Sequence, residues 1–242
     1  MASRGPERPT QFPSLFLFDI DGTLMKGAGP QHREALEYAT SRVLGVRTST
    51  EGIPVHGMLD TDIVAAMLRR EGVPLVRIRN AMDELMRIAE RRYVRNGPSS
   101  LTGKVCPGVR ALLARLQHRG VPLLLVTGNF ARIGWRKVEL AGLRHYFAHG
   151  AFAGMSATRA GLARLAIRHA RERGWLNGAP ANASSVVLIG DAPSDILAAH
   201  SNRIRSIAVC TGISTREELE AHRPHLLIGN LGDLRLSDFG AD

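Results

Sequence analysis

Apolar residues fall along the chain in two patterns. Short unbroken runs occur at LFLFD (15–19), PLLLVT (122–127), SVVLIG (185–190) and RSIAVC (205–210). They are rich in Val, Ile, Leu or Phe and lack clean alternation, which predicts parallel strands covered on both faces. YFAHGAF (146–152) and HLLIG (225–229) are weaker members of the same set. Between the runs, apolar residues recur at helical spacing in VRALLARLQHRG (109–120), ARIGWRKVELAGL (131–143) and RAGLARLAIRHARERG (159–174), closed by Gly120, Gly142 and Gly174. SDILAAHSNRI (194–204) and STREELEAH (214–222) follow. In the last, Ser214 or Thr215 before Glu217 and Glu218 reads as an N-cap with an acidic first turn. Strands alternating with helices predict a doubly wound α/β domain.

Lys26–Thr102 departs from this rhythm. HREALEYATSRVLG, DIVAAMLRREG and VRIRNAMDELMRIAERRYVRNG are helical patterns with no strand among them. The segment lies between the first strand and the next helix of the α/β domain, as an inserted α-helical cap would. The expected division is a disordered tail over 1–13, a core of 14–25 plus 103–242, and a cap over 26–102. Gly27–Pro30 and Asn96–Gly103, rich in turn residues, are the expected hinges.

Composition narrows the class. The chain has 242 residues, 44% hydrophobic and 22% charged, which is ordinary for a globular protein. No apolar run approaches a membrane span, and MASRGPERPTQFP lacks the apolar centre of a signal peptide, so the default location is the cytoplasm. Two cysteines, Cys106 and Cys210, form no CxxC, which argues against a zinc site or a disulfide framework and fits a reducing compartment. The net charge of +10 raises the question of a polyanionic partner. Lys26, Lys104 and Lys137 are the only lysines, so 32 − 3 leaves 29 arginines. These are scattered, as in Arg164, Arg168 and Arg171 along one helical pattern, and read as a solvated surface; specific nucleic-acid binding is not expected.

The chemistry gathers at the strand ends, where open α/β sheets bind ligands. The first strand runs into Asp19-Ile20-Asp21-Gly22-Thr23, another into Thr127-Gly128-Asn129, and SVVLIG into Gly190-Asp191-Ala192-Pro193-Ser194-Asp195. Each piece alone is an ordinary turn or cap, Asn129 included. Together they bring four carboxylates, a hydroxyl and an amide to one crevice. Like charges so placed raise one another's pKa, a cost that a hard dication removes. Carboxylates, a carbonyl and waters suit Mg²⁺, which also neutralises a phosphate.

These motifs, in this order, resemble those of the haloacid dehalogenase superfamily, in its phosphoglycolate-phosphatase-like and β-phosphoglucomutase-like branch. The likeness covers nearly all of the chain from about Pro13 and implies a Rossmann-like core. It implies a Mg²⁺-dependent phosphatase acting on a small phosphorylated metabolite. Asp19 would be the nucleophile, forming an aspartyl-phosphate, and Asp21 the general acid and then base. Asp19, the Asp21 carbonyl, Asp191 and Asp195 would hold the metal. Thr127 and the amides around Gly128 and Asn129 would bind phosphoryl oxygens, with Gly22 permitting the turn. The family's usual lysine before the GDxxxD strand is missing from GMSATRAGLARL; Arg159 and Lys137 are the candidates for its role. In the cap, HGMLDTDI (56–63) resembles the segment that faces the active site, which makes His56, Asp60 and Arg69 candidates for substrate contact. Asp60 or Thr61 reads equally as the N-cap of the helix that follows. A phosphosugar mutase of the same superfamily, or a binding protein that kept the fold without turnover, are the alternatives.

Overall fold

A computed structural model describes residues 12–27 and 29–239; most of the 1–13 tail and part of the first hinge lie outside the described residues. In chain order the elements are β1 (Leu15–Phe18), α1 (Gln31–Leu44), α2 (Asp60–Arg70), α3 (Leu75–Asn96), α4 (Val109–His118), β2 (Leu123–Val126), α5 (Ala131–Leu140), β3 (His149–Ala151), α6 (Arg159–Glu172), β4 (Val186–Gly190), α7 (Pro193–Ser201), β5 (Arg205–Val209), α8 (Arg216–Ala221) and β6 (Leu226–Ile228). The six strands form one parallel sheet in the order β3-β2-β1-β4-β5-β6. This is the doubly wound α/β fold that the pattern predicts. All six expected strands exist; Tyr146, expected at the start of β3, instead closes a 3-10 turn over Arg144–Tyr146.

The unbroken apolar runs follow from burial on both faces. Leu15 and Leu17 of β1, Leu124 and Val126 of β2, and Val186 and Leu188 of β4 join one core cluster. Phe16, Phe18, Leu123, Leu125, Val187 and Ile189, the alternate positions, join the other. Each side chain fully removed from water contributes roughly 1.5–3 kcal/mol, so neither face tolerates polar residues. Phe12, inside the expected tail, stands edge-on to Phe239, with ring centroids 5.6 Å apart.

The three helices between β1 and α4 pack on one another, and their apolar residues, Leu36, Val64, Leu85 and Tyr93 among them, are continuous with the first cluster. Among the described residues no helix is long and apolar enough to cross a membrane. Thr215, rather than Ser214, caps α8, in a capping box with Glu218.

Candidate active site

The strand order reverses direction between β1 and its neighbours β2 and β4, so the loops leaving these strands diverge and open a crevice. Asp19 follows β1 directly, Thr127 follows β2, and Asp191 follows β4. All three line a cavity of about 920 Å³, together with Asp21, Gly22, Gly128, Asn129, Lys137 and Arg159. The sheet has therefore gathered nearly all of the residues that the strand-end motifs singled out.

Asp19, Asp191 and Asp195 are buried, and one oxygen of each lies within 4.8 Å of the others. Asp191 Oδ1 accepts from Thr23 Oγ1 at 3.0 Å, while Asp191 Oδ2 is buried with no hydrogen-bond partner. Burial, then the charges of Asp19 and Asp195, push the Asp191 carboxyl well above the usual carboxylate range. Burial likewise raises Asp195, against the pull of Arg159, to about 7. A hard cation would relieve both effects and satisfy the orphaned oxygen, so the donor set fits Mg²⁺. The Asp21 carboxylate is not in this cluster, which leaves three carboxylates there where sequence had gathered four.

Arg159, at the first turn of α6, reaches the cluster: its Nη1 donates to Asp19 Oδ1 at 2.9 Å and to the Val126 carbonyl at 3.3 Å, and lies 3.0 Å from Asp195 Oδ1. Lys137, on α5, takes a different partner. Its Nζ donates to both Asp21 oxygens, at 2.7 and 2.6 Å, and to Asn129 Oδ1 at 2.7 Å. Asn129 Nδ2 donates in turn to Asp21 Oδ2 at 2.7 Å and to Thr127 Oγ1 at 2.8 Å. Partial burial pushes the Asp21 carboxyl up, but Lys137, His32 and these hydrogen bonds outweigh it, and its pKa lies below the ordinary value. The two basic candidates therefore divide the two aspartates between them.

Asn129 does not cap α5. The cap oxygen comes from Asp60, whose Oδ2 accepts from the Phe130 amide at 2.7 Å. Asp60 is buried and opens α2, whose own N-cap is Leu59, so neither Asp60 nor Thr61 caps that helix. The Asp60 amide donates to the Gly128 carbonyl at 2.8 Å. A side chain on Gly128 would overlap the Met58 carbonyl, so glycine is what lets the 56–60 segment approach. His56 Nε2 lies 2.9 Å from Ser214 Oγ and 3.6 Å from Asp191 Oδ2. Ser194 Oγ donates to the Gly57 carbonyl at 3.0 Å. His56 and Asp60 line the cavity; Arg69 is exposed in the last turn of α2 and does not.

Sequence reasoning passed over four residues. His32, on α1, receives Lys137 Nζ on Nδ1 at 3.1 Å and meets Asp60 Oδ2 through Nε2 at 2.9 Å. An ammonium can only donate, so Nδ1 accepts and the proton sits on Nε2. Thr23 and Thr211 hold the turn after Asp21, Thr211 by donating to the Gly22 carbonyl at 2.5 Å. Gly212 passes so close to Asp191 that a Cβ there would overlap its Oδ2, as would one on Gly22, where φ is +85°. Thr23 lies inside the first motif and was legible as such. No local signal marks His32, Thr211 or Gly212.

A parallel doubly wound sheet carries at its switch point a buried carboxylate cluster, with Arg159 shared by Asp19 and Asp195 and Lys137 paired with Asp21, as a strand-end hydrolytic site would. The chain belongs to the haloacid dehalogenase-like hydrolases, whose family model matches residues 13–202. It is 26% identical over 225 residues to a protein of Caldanaerobacter subterraneus subsp. tengcongensis that carries the name pyrophosphatase PpaX, covering 90% of this chain and 91% of that one. Among solved structures it is similar to CbbY from Rhodobacter sphaeroides in complex with phosphate, with a TM-score of 0.69, 22% identity and coverage of 95% of this chain and 100% of that one. It is also similar to β-phosphoglucomutase from Clostridium difficile, with a TM-score of 0.68, 16% identity and coverage of 94% and 97%. The last two likenesses are likenesses of fold.

Proposed function

We propose that the protein is a Mg²⁺-dependent phosphatase that hydrolyses a small phosphorylated metabolite through an aspartyl-phosphate. The observation that carries this reading is the buried Asp19, Asp191 and Asp195 cluster with its unpartnered Asp191 oxygen. Asp19, Asp191, Asp195 and the Asp21 carbonyl would hold the ion, which supplies charge neutralisation for the phosphoryl group. Asp19 attacks phosphorus as the ester oxygen leaves, and water then cleaves the acyl phosphate to return the carboxylate and release phosphate. Arg159 holds Asp19 in place and offsets the charge of the incoming phosphoryl group. Thr127 and the amides of Gly128 and Asn129 border the same space and suit the phosphoryl oxygens.

Asp21 protonates the leaving alcohol and then takes a proton from the attacking water. Lys137 holds the resting carboxylate ionised, the form required for the second half of the reaction, so the proton for the alcohol arrives with the substrate, as the acidic proton of a phosphate monoanion passed through Asp21. The helical segment 26–102 acts as a cap over a core of 14–25 and 103–242, and the contacts of residues 56–60 with Gly128, Phe130, Ser194 and Ser214 are those of a closed cap. Free Cys106 and Cys210 are in keeping with a reducing, cytoplasmic setting.

The test is turnover of p-nitrophenyl phosphate with Mg²⁺ and with chelator, in the native enzyme and in Asp19→Asn. Turnover that needs the ion and vanishes in the variant is expected. Metal-independent turnover, or activity surviving the substitution, overturns the mechanism.

A further inference from the structure

The chain carries 29 arginines and only three lysines, yet Lys26, Lys104 and Lys137 all line the one cavity that holds Asp19. Lys137 is committed to Asp21. Lys26 and Lys104 are not: both are exposed, and among the described residues neither makes an ion pair or a side-chain hydrogen bond. The fold sets them side by side. Met25 pairs with Val105 in an isolated antiparallel bridge, and the Lys26 amide donates to the Lys104 carbonyl at 3.0 Å. These are the two strands of chain that leave and re-enter the α/β domain. A Cβ on Gly27 would lie 3.9 Å from Lys104 Nζ, so the ammonium folds over the first of them. Arg33, exposed on α1, lines the same cavity and is likewise without an ion pair among the described residues.

The cavity is therefore polarised. At its depth, Arg159 and Lys137 are matched by Asp19, Asp195 and Asp21, and Asp60 accepts a hydrogen bond from His32. Among the described residues, its mouth carries three cations, Lys26, Lys104 and Arg33, and no carboxylate paired with them. Its volume of about 920 Å³ exceeds what a phosphoryl group needs and leaves room for a small organic body. Lysine is a compact, mobile point charge, suited to an anion that arrives with its substrate rather than to a fixed protein carboxylate.

We infer that the substrate carries a second anionic group, a carboxylate or a second phosphate on the leaving-group side, and that Lys26 and Lys104, with Arg33, bind it at the cavity mouth. The inference rests on the phosphatase reading and adds the substrate class to it.

Two matched pairs test it: glycerol 3-phosphate against 3-phosphoglycerate, and fructose 6-phosphate against fructose 1,6-bisphosphate. The native enzyme should favour the doubly anionic member of at least one pair by about tenfold to hundredfold in kcat/KM, chiefly through KM, as one or two charged hydrogen bonds would give. Preference in the first pair identifies a carboxylate, in the second a phosphate. In Lys26→Met/Lys104→Met the preference should collapse towards unity, with the far-ultraviolet circular dichroism unchanged. No preference in the native enzyme overturns the inference. So does an equal loss on both members of a pair in the variant, which would mean that the lysines only concentrate anions near the mouth. If p-nitrophenyl phosphate is hydrolysed in either case, the phosphatase reading survives; if nothing is hydrolysed, both fall.

Discussion

Arg159 Nη1 lies 2.9 Å from Asp19 Oδ1, and the same nitrogen lies 3.0 Å from Asp195 Oδ1. One guanidinium thus ties the carboxylate after β1 to the first turn of α7. Arg159→Ala leaves two buried carboxylates facing each other, and breaking a buried pair costs about 3–5 kcal/mol. We expect a clear loss of thermal stability and a fall in kcat of about 10²–10³-fold, the loss typical of a removed electrostatic stabiliser. Arg159→Lys keeps the charge but not the fork, and should recover stability more fully than turnover. Thermal melts and steady-state kinetics on the two variants check this; equal activity in Arg159→Ala and the native enzyme would remove Arg159 from the mechanism.

The raised carboxyls of Asp191 and Asp195 make stability depend on pH in a defined direction. A carboxyl whose pKa is higher folded than unfolded favours folding most when protonated in both states. For Asp195 that contribution is full below about 3.8 and is lost as pH rises through about 7. The metal-free protein should lose stability from this cluster across that window, and Mg²⁺ should restore it by binding only the folded state. Asp191→Asn keeps an oxygen for Thr23 and deletes one of the repelling charges. It should raise the melting temperature of the metal-free protein by a few degrees, about 2–4 °C per kcal/mol at this size, and abolish the response to Mg²⁺. A variant that melts lower without metal would contradict the repulsion.

Asp60 joins the helical insertion to the start of α5. Asp60→Ala removes the cap oxygen from Phe130, worth about 0.5–2 kcal/mol, and frees His32 from one of its two partners. We expect faster hydrogen exchange at the Phe130 amide and a KM increase larger than any fall in kcat. Unchanged exchange there would show that the contact does not hold the two parts together.

Gly212 does not have a positive φ, so a side chain there meets a steric cost and not a backbone one. Gly212→Ala would push its methyl into Asp191 Oδ2, which would have to turn away from the carboxylate cluster. The half-saturating Mg²⁺ concentration for turnover should rise at least about tenfold, as it does when the support of a metal ligand is disturbed. An unchanged metal dependence would mean that Asp191 does not hold the ion.

Much of this was written locally. The apolar runs that became β1, β2, β4 and β5 were legible because a strand covered on both faces admits no polar position. The DIDGT, TGN and GDAPSD segments were legible because strand-end loops carry their chemistry in consecutive residues. The cap of α5 was not legible: it is an oxygen from Asp60, seventy positions earlier, so Asn129 next to the helix was the wrong place to look. Arg69 looked equivalent to Asp60 in sequence, yet the turn of α2 carries it to the surface.

The sequence by itself determined the sheet, the helical character of the segment between β1 and α4, and the aspartates that meet at the strand ends, because each depends on hydrophobic periodicity or on neighbours within a few positions. The tertiary structure alone decided which cation serves which aspartate. Arg159 and Lys137 were equal candidates until α6 delivered one to Asp19 and α5 delivered the other to Asp21. Charge pairing is a matter of ångströms between side chains more than a hundred residues apart, and no local pattern encodes that distance. The same reason hid the meeting of Lys26 and Lys104, which the Met25–Val105 bridge and the hydrogen bond from the Lys26 amide to the Lys104 carbonyl bring together.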